Sequence, residues 1–137
     1  MDFLTFINEV LEEQGKTPGS LFKNKIVSEN TFYKYKQRYP SLKTLIKIAN
    51  FLEISIDYLF EFCAVNHFKP YHVEKIRFYD NLTKLLSENK LSARKFCNDL
   101  SFSHDSILRW KNGTLPSVQT LYEIAKYFDC SFDDLIF

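Results

Sequence analysis

The side chains able to act on a partner fall into two groups in this 137-residue sequence. The first is cationic. Between Gln14 and Lys47 stand Lys16, Lys23, Lys25, Lys34, Lys36, Arg38, Lys43 and Lys47, with Glu29 the one acid among them. Between Lys84 and Lys111 six basic residues meet three acids, Glu88, Asp99 and Asp105. Other acids gather away from both stretches, at Glu9, Glu12 and Glu13 and at Asp129, Asp133 and Asp134. A formal net charge of +1 therefore conceals stretches of one sign, and a basic face of this kind suits phosphate groups. A merely solvated helix surface is the plainer reading of the same charges.

The second group holds nucleophiles and metal ligands, and it leads nowhere catalytic. Cys63, Cys97 and Cys130 form neither a C-x-x-C pair nor an even disulfide set, which fits a reducing compartment. His67 and His72 are five apart, with no further ligands at zinc spacing. There is no P-loop, G-x-S-x-G or H-E-x-x-H motif. The expectation is a binding protein and not an enzyme, with no metal, no cofactor and no evident small-molecule ligand. The opening residues lack a basic n-region and no apolar run approaches a membrane span, so a cytoplasmic location without a membrane partner is expected.

The elements that must position these residues repeat. Pro40-Ser41-Leu-Lys-Thr44-Leu45-Ile-Lys-Ile48-Ala49 reads against Pro116-Ser117-Val-Gln-Thr120-Leu121-Tyr-Glu-Ile124-Ala125, and Ser55-Ile-Asp57-Tyr-Leu59 against Ser131-Phe-Asp133-Asp-Leu135. The offset is 76 there; upstream it is 75, pairing Phe3 with Phe78, Thr17 with Ser92, Ser28 with Ser103 and Tyr35 with Trp110. Repeat 1 thus lacks one residue in the loop before Pro40. Shared helical patterning alone would not reproduce Pro-Ser-x-x-Thr-Leu-x-x-Ile-Ala.

Three Gly and four Pro are too few for the many turns of a sandwich or barrel, whereas fourteen Phe and eight Tyr can fill helical cores. Each repeat reads as five short helices. In repeat 2, Leu82, Leu85 and Leu86 mark the first helix. Ser92 caps a second carrying Phe96, and Ser103 a third with Ile107 and Trp110 inward, stopped by Asn112-Gly113. Pro116-Ser117 starts a fourth, and Ser131-x-x-Asp134 has the spacing of a capping box for the last. In repeat 1, Thr17-Pro18 reads as an N-cap followed by proline at the first helical position. The chain divides into residues 1–61, a linker over 62–74 marked by Pro70, and residues 75–137. Trp110 is expected to anchor its helix in the core, with Tyr35 at a wetter site.

The run from Leu91 to Gly113, with the Pro116-Ser117-x-x-Thr120-Leu121 and Ser131-x-Asp133-x-Leu135 that follow, resembles the Cro/phage-repressor helix-turn-helix family. The resemblance covers residues 76–137 and extends in weaker form to about 2–61. It implies an all-α protein of two tandem five-helix domains of lambda-repressor-like type, each with a helix that enters the DNA major groove. Carried over position by position, it puts His104, Asp105 and Arg109 towards bases. It puts Ser92, Arg94, Ser106, Lys111 and Asn112 near phosphates. The corresponding sets in repeat 1 are Glu29, Asn30 and Lys34 towards bases, with Thr17, Thr31, Lys36 and Arg38 near phosphates. Arg109 suits guanine and Asp105 a cytosine amino group.

Where the family has a small residue in the second helix and Gly in the turn, repeat 2 has Cys97 and Ser101, and repeat 1 has the bulky Phe22 and Ile26. A distorted turn is therefore expected in repeat 1. The implied function is a sequence-specific regulator that binds double-stranded DNA, with a homodimer working through repeat 2 as one way to engage it. A protein-interaction module, such as an antitoxin or regulator partner, is the alternative use of the same scaffold.

Overall fold

Apolar residues spaced by three and four predict helices, and in the computed structural model, which describes residues 2–137, every regular element among those residues is helical. Contacts divide the chain into a first unit ending at Val73 and a second, Glu74–Phe137. The first holds α1 (Phe3–Glu13), α2 (Gly19–Lys23), α3 (Glu29–Tyr33), a 3-10 turn over Lys34–Lys36, α4 (Leu42–Leu52) and α5 (Ile56–Leu59). The second holds α6 (Phe78–Glu88), α7 (Ala93–Leu100), α8 (Asp105–Lys111), α9 (Val118–Phe128) and α10 (Phe132–Ile136).

The repeated sequence produces repeated local structure. Ser41 Oγ accepts the Thr44 N–H at 3.2 Å to start α4, and Ser117 Oγ accepts the Thr120 N–H at 3.2 Å to start α9. A cap of this kind contributes about 1 kcal/mol. Both helices end on a left-handed residue, Glu53 (φ 52°) and Asp129 (φ 51°). The next N–H then reaches back at 3.0 Å, from Ile54 to the Ala49 carbonyl and from Cys130 to the Ala125 carbonyl. In between, Leu45, Ile48 and Ala49 and their counterparts Leu121, Ile124 and Ala125 are fully buried.

At the offset of 75 the agreement is as close. α1 and α6 are each followed by a left-handed residue, Gly15 (φ 65°) and Lys90 (φ 53°). Phe3 meets Tyr35 edge to face at 5.2 Å, and Phe78 meets Trp110 the same way at 5.3 Å. The first pair ties α1 to the 3-10 turn that follows α3, the second ties α6 to α8, and each adds to simple area burial. The expectation for Tyr35 was wrong: it is 2% exposed and Trp110 is 7% exposed. Phe3 and Phe32 both lie edge-on to the Tyr35 ring, and that burial pushes its phenol pKa upwards.

The units diverge at the second helix. α7 runs eight residues and its left-handed C-cap falls on Ser101 (φ 59°). The corresponding residue of the first unit, Ile26, is β-branched and strongly disfavoured at positive φ. Lys25 takes that conformation instead (φ 58°), and α2 is five residues long. The start of α2 also departs from expectation, because Pro18 and not Thr17 occupies the N-cap. The Thr17 carbonyl, rather than its hydroxyl, accepts from the Ser20 N–H at 3.0 Å. The units also differ at the third helix. α8 ends through Gly113 (φ 102°), whereas α3 winds into the 3-10 turn before Gln37.

Residues 62–73 are fastened to the first unit rather than free. Asn66 Oδ1 accepts the Ser55 N–H at 2.8 Å and its amide donates to the Glu53 carbonyl at 3.0 Å. Asn50 pairs with the Tyr71 backbone in both directions, at 2.8 and 3.1 Å. The Tyr71 hydroxyl accepts the Ile56 N–H at 2.8 Å, satisfying a donor at the start of α5. The second unit closes differently: the Arg77 N–H donates to the Ile136 carbonyl at 2.7 Å, and Asn81 to the Leu135 carbonyl at 3.0 Å.

Candidate nucleic-acid interface

α7 and α8 of the second unit are set against each other by their apolar sides. Phe96 and Cys97 of α7 are buried, and Trp110 of α8 is buried beside Phe78. Phe102, in the turn, lies edge-on to Phe96 at 5.9 Å and to Trp110 at 5.8 Å. Its N–H returns to the Cys97 carbonyl at 2.8 Å, an arrangement that the left-handed Ser101 makes available. A small residue is needed at 97 because the site is enclosed, and burial pushes the Cys97 thiol pKa up. Three aromatic rings thus fix the angle at which α8 leaves the turn.

With Trp110 turned inward, the opposite side of α8 faces solvent. His104, Asp105, Leu108, Arg109, Lys111 and Asn112 are all exposed. Asp105, Leu108, Arg109 and Asn112 follow the i, i+3, i+4, i+7 spacing of a single helical face. The face carries a carboxylate that can only accept and a guanidinium that can only donate. Those are the complements of base edges in a major groove. Ser92 and Arg94, at the start of α7, are also exposed, and the Ser92 hydroxyl accepts the Lys95 N–H at 3.1 Å as the cap.

Ser106 stands apart from this set. It is 7% exposed, and its Oγ accepts a hydrogen bond from Arg109 Nη2 at 3.1 Å. Its hydroxyl sits behind the open face, holding Arg109. Ser103 is expected to be the N-cap of α8, but His104 occupies that position. The Ser103 Oγ still accepts the Asp105 N–H at 3.3 Å.

Two of the cations near α7 are tied to acids one turn on. Lys95 contacts Asp99 at 3.0 Å, and Lys84 lies 3.9 Å from Glu88. Asp99 also accepts from the Tyr127 hydroxyl at 2.8 Å, a bond that lowers its pKa with help from Lys95 and raises that of Tyr127. Lys90, Arg94, Arg109 and Lys111 remain exposed on this part of the unit.

In the first unit Glu29, Asn30 and Lys34 are exposed, as are Thr17, Lys36 and Arg38. All eight cations between Gln14 and Lys47 are exposed as well. Thr31 is half-buried and its Oγ1 accepts from the Ser28 hydroxyl at 2.9 Å, so its hydroxyl belongs to the helix cap. α3 is only five residues long, against seven in α8.

Sequence reasoning passed over Leu108, which is 58% exposed in the middle of the α8 face. In the sequence Ile107 and Trp110 read as the inward residues of this helix, and Leu108 beside them carries no motif of its own. The signal that separates them is helical phase: Trp110 fixes the inward direction, and Leu108 lies on the same side as Asp105 and Arg109.

The family model of the Cro/C1-type HTH DNA-binding domain matches residues 81–136, from within α6 to the end of α10. No curated protein and no solved structure matches the chain. The match is confined to the second unit, where it spans α7 and α8. No helix among the described residues is long and apolar enough to cross a membrane.

Proposed function

We propose that this chain is a sequence-specific regulator that binds double-stranded DNA, with α8 of the second unit in the major groove. The observation that carries the reading is the solvent face of α8, where Asp105 and Arg109 stand exposed in a matched Cro/C1-type domain. His104, Asp105 and Arg109 meet bases; Ser92, Arg94, Lys111 and Asn112 meet phosphates. A cytoplasmic protein of this kind needs no cofactor for the task. The first unit takes part as a tandem helix-turn-helix domain in this proposal. Its eight exposed cations supply phosphate contacts, and Glu29, Asn30 and Lys34 face the groove.

The two sets of base-facing residues differ, so the preferred site is asymmetric. A homodimer reading through the second unit alone would select an inverted repeat instead, its two helices one turn of DNA apart. Selection of bound duplexes from a random pool, followed by footprinting, separates these outcomes. The short α2 and α3 favour a second reading for the first unit alone, as a surface for protein contacts. Under that reading the footprint would cover only what α8 and its neighbours span.

A further inference from the structure

Five large apolar side chains are markedly exposed among the described residues: Tyr33, Val65, Val73, Leu108 and Leu115. Scattered singly, such residues need no explanation. Tyr33 and Leu108 are not scattered. They are the two of this group on α-helices, 55% and 58% exposed, and they stand at the same register, 75 residues apart, on the third helix of each unit. Leu108 is also bracketed on its face by Asp105 three residues before it and Arg109 beside it.

Resting on the DNA-binding reading above, we propose that Leu108 is a specificity-determining residue that recognises the C5 methyl group of a thymine. The chemistry leaves little choice of target. A leucine side chain can neither donate nor accept a hydrogen bond, and most of what a major groove offers is donors and acceptors. The thymine methyl is the apolar feature of that surface. Asp105 and Arg109 on either side read amino and carbonyl edges, so the thymine lies among the base pairs they contact. Contact would bury the apolar surface that Leu108 exposes in the free protein.

The test uses the full chain and a duplex selected by it from a random pool. Each thymine of that duplex is replaced in turn by deoxyuridine, which removes the methyl group and keeps the base pairing. The proposal expects one replacement to weaken wild-type binding about fourfold, the worth of one buried methyl-sized group. The Leu108→Ala variant should bind the thymine and uracil duplexes equally, with its helical content and melting temperature unchanged because residue 108 is exposed. A selected site without a methyl-sensitive thymine, or a sensitivity that persists in Leu108→Ala, overturns the role of Leu108 while DNA binding stands. Failure to bind any duplex overturns both.

Discussion

Arg109 Nη2 donates to Ser106 Oγ at 3.1 Å, so the guanidinium is already held on the α8 face in the free protein. One Nη2–H is used in that bond, and the other N–H groups remain for a base. Arg109→Ala is expected to cost about 1–3 kcal/mol at one base position and to relax the preference there. Ser106→Ala should weaken discrimination at the same position by a smaller factor, since it loosens Arg109 without removing it. Lys111→Ala should weaken binding to all sequences alike and reduce the salt slope by about one. Binding to single-base variants of a selected site measures all three.

The aromatic pairs give a stability prediction. Trp110→Ala should destabilise the second unit by roughly 3–5 kcal/mol, as truncating a buried large aromatic does. Tyr35→Ala should cost a similar amount in the first unit, because Tyr35 is the more deeply buried of the two. Chemical denaturation of each variant checks this. A Tyr35→Ala protein of unchanged midpoint would place Tyr35 outside the core.

A third prediction concerns residues 62–73. Asn50→Ala removes both bonds to the Tyr71 backbone, and should release the segment and destabilise the first unit by about 1–3 kcal/mol. Hydrogen exchange at Tyr71 reports the release. Protection there that survives the substitution would show that other contacts hold the segment.

The Asp99–Tyr127 bond predicts a pH effect. The Asp99 carboxyl pKa is lowered first by the Tyr127 hydroxyl and then by Lys95. A carboxylate with a depressed folded-state pKa stabilises the fold above its unfolded pKa, about 3.9. It loses that contribution as pH falls through the folded value. Tyr127→Phe should therefore move the Asp99 titration up towards the ordinary carboxylate range and shrink this acid-sensitive part of stability. Carbon-detected NMR titration of the carboxyl group gives the shift directly; an unmoved midpoint would assign the lowering to Lys95.

Much of this architecture can be read from residue types and spacing. The serine caps, the glycine stop at Gly113 and the paired registers of Phe3–Tyr35 and Phe78–Trp110 are local or periodic, and periodicity survives in a single sequence. Three features are not of that kind. The fastening of 62–73 depends on side chains of Asn50, Asn66 and Tyr71 bonding to distant backbone, which leaves no periodic trace. The shift of the left-handed residue from position 26 to Lys25 follows from one β-branched side chain, visible only once its backbone angle is asked for. On α8, Ser106 is expected near phosphates and Leu108 has no expected role, because helical phase around Trp110, not residue type, decides which side faces out.

If α8 of the second unit reads duplex DNA, binding of the chain to a labelled duplex must depend on salt, and a salt titration measures that dependence. At low salt and protein up to tens of micromolar, the full chain should bind, with log K falling linearly as log salt rises. On a selected duplex the binding should tighten well beyond the random-sequence level and lose that gain in Arg109→Ala. No salt-sensitive binding to any duplex in that concentration range, or a selected-site preference that Arg109→Ala leaves intact, would contradict DNA reading by α8.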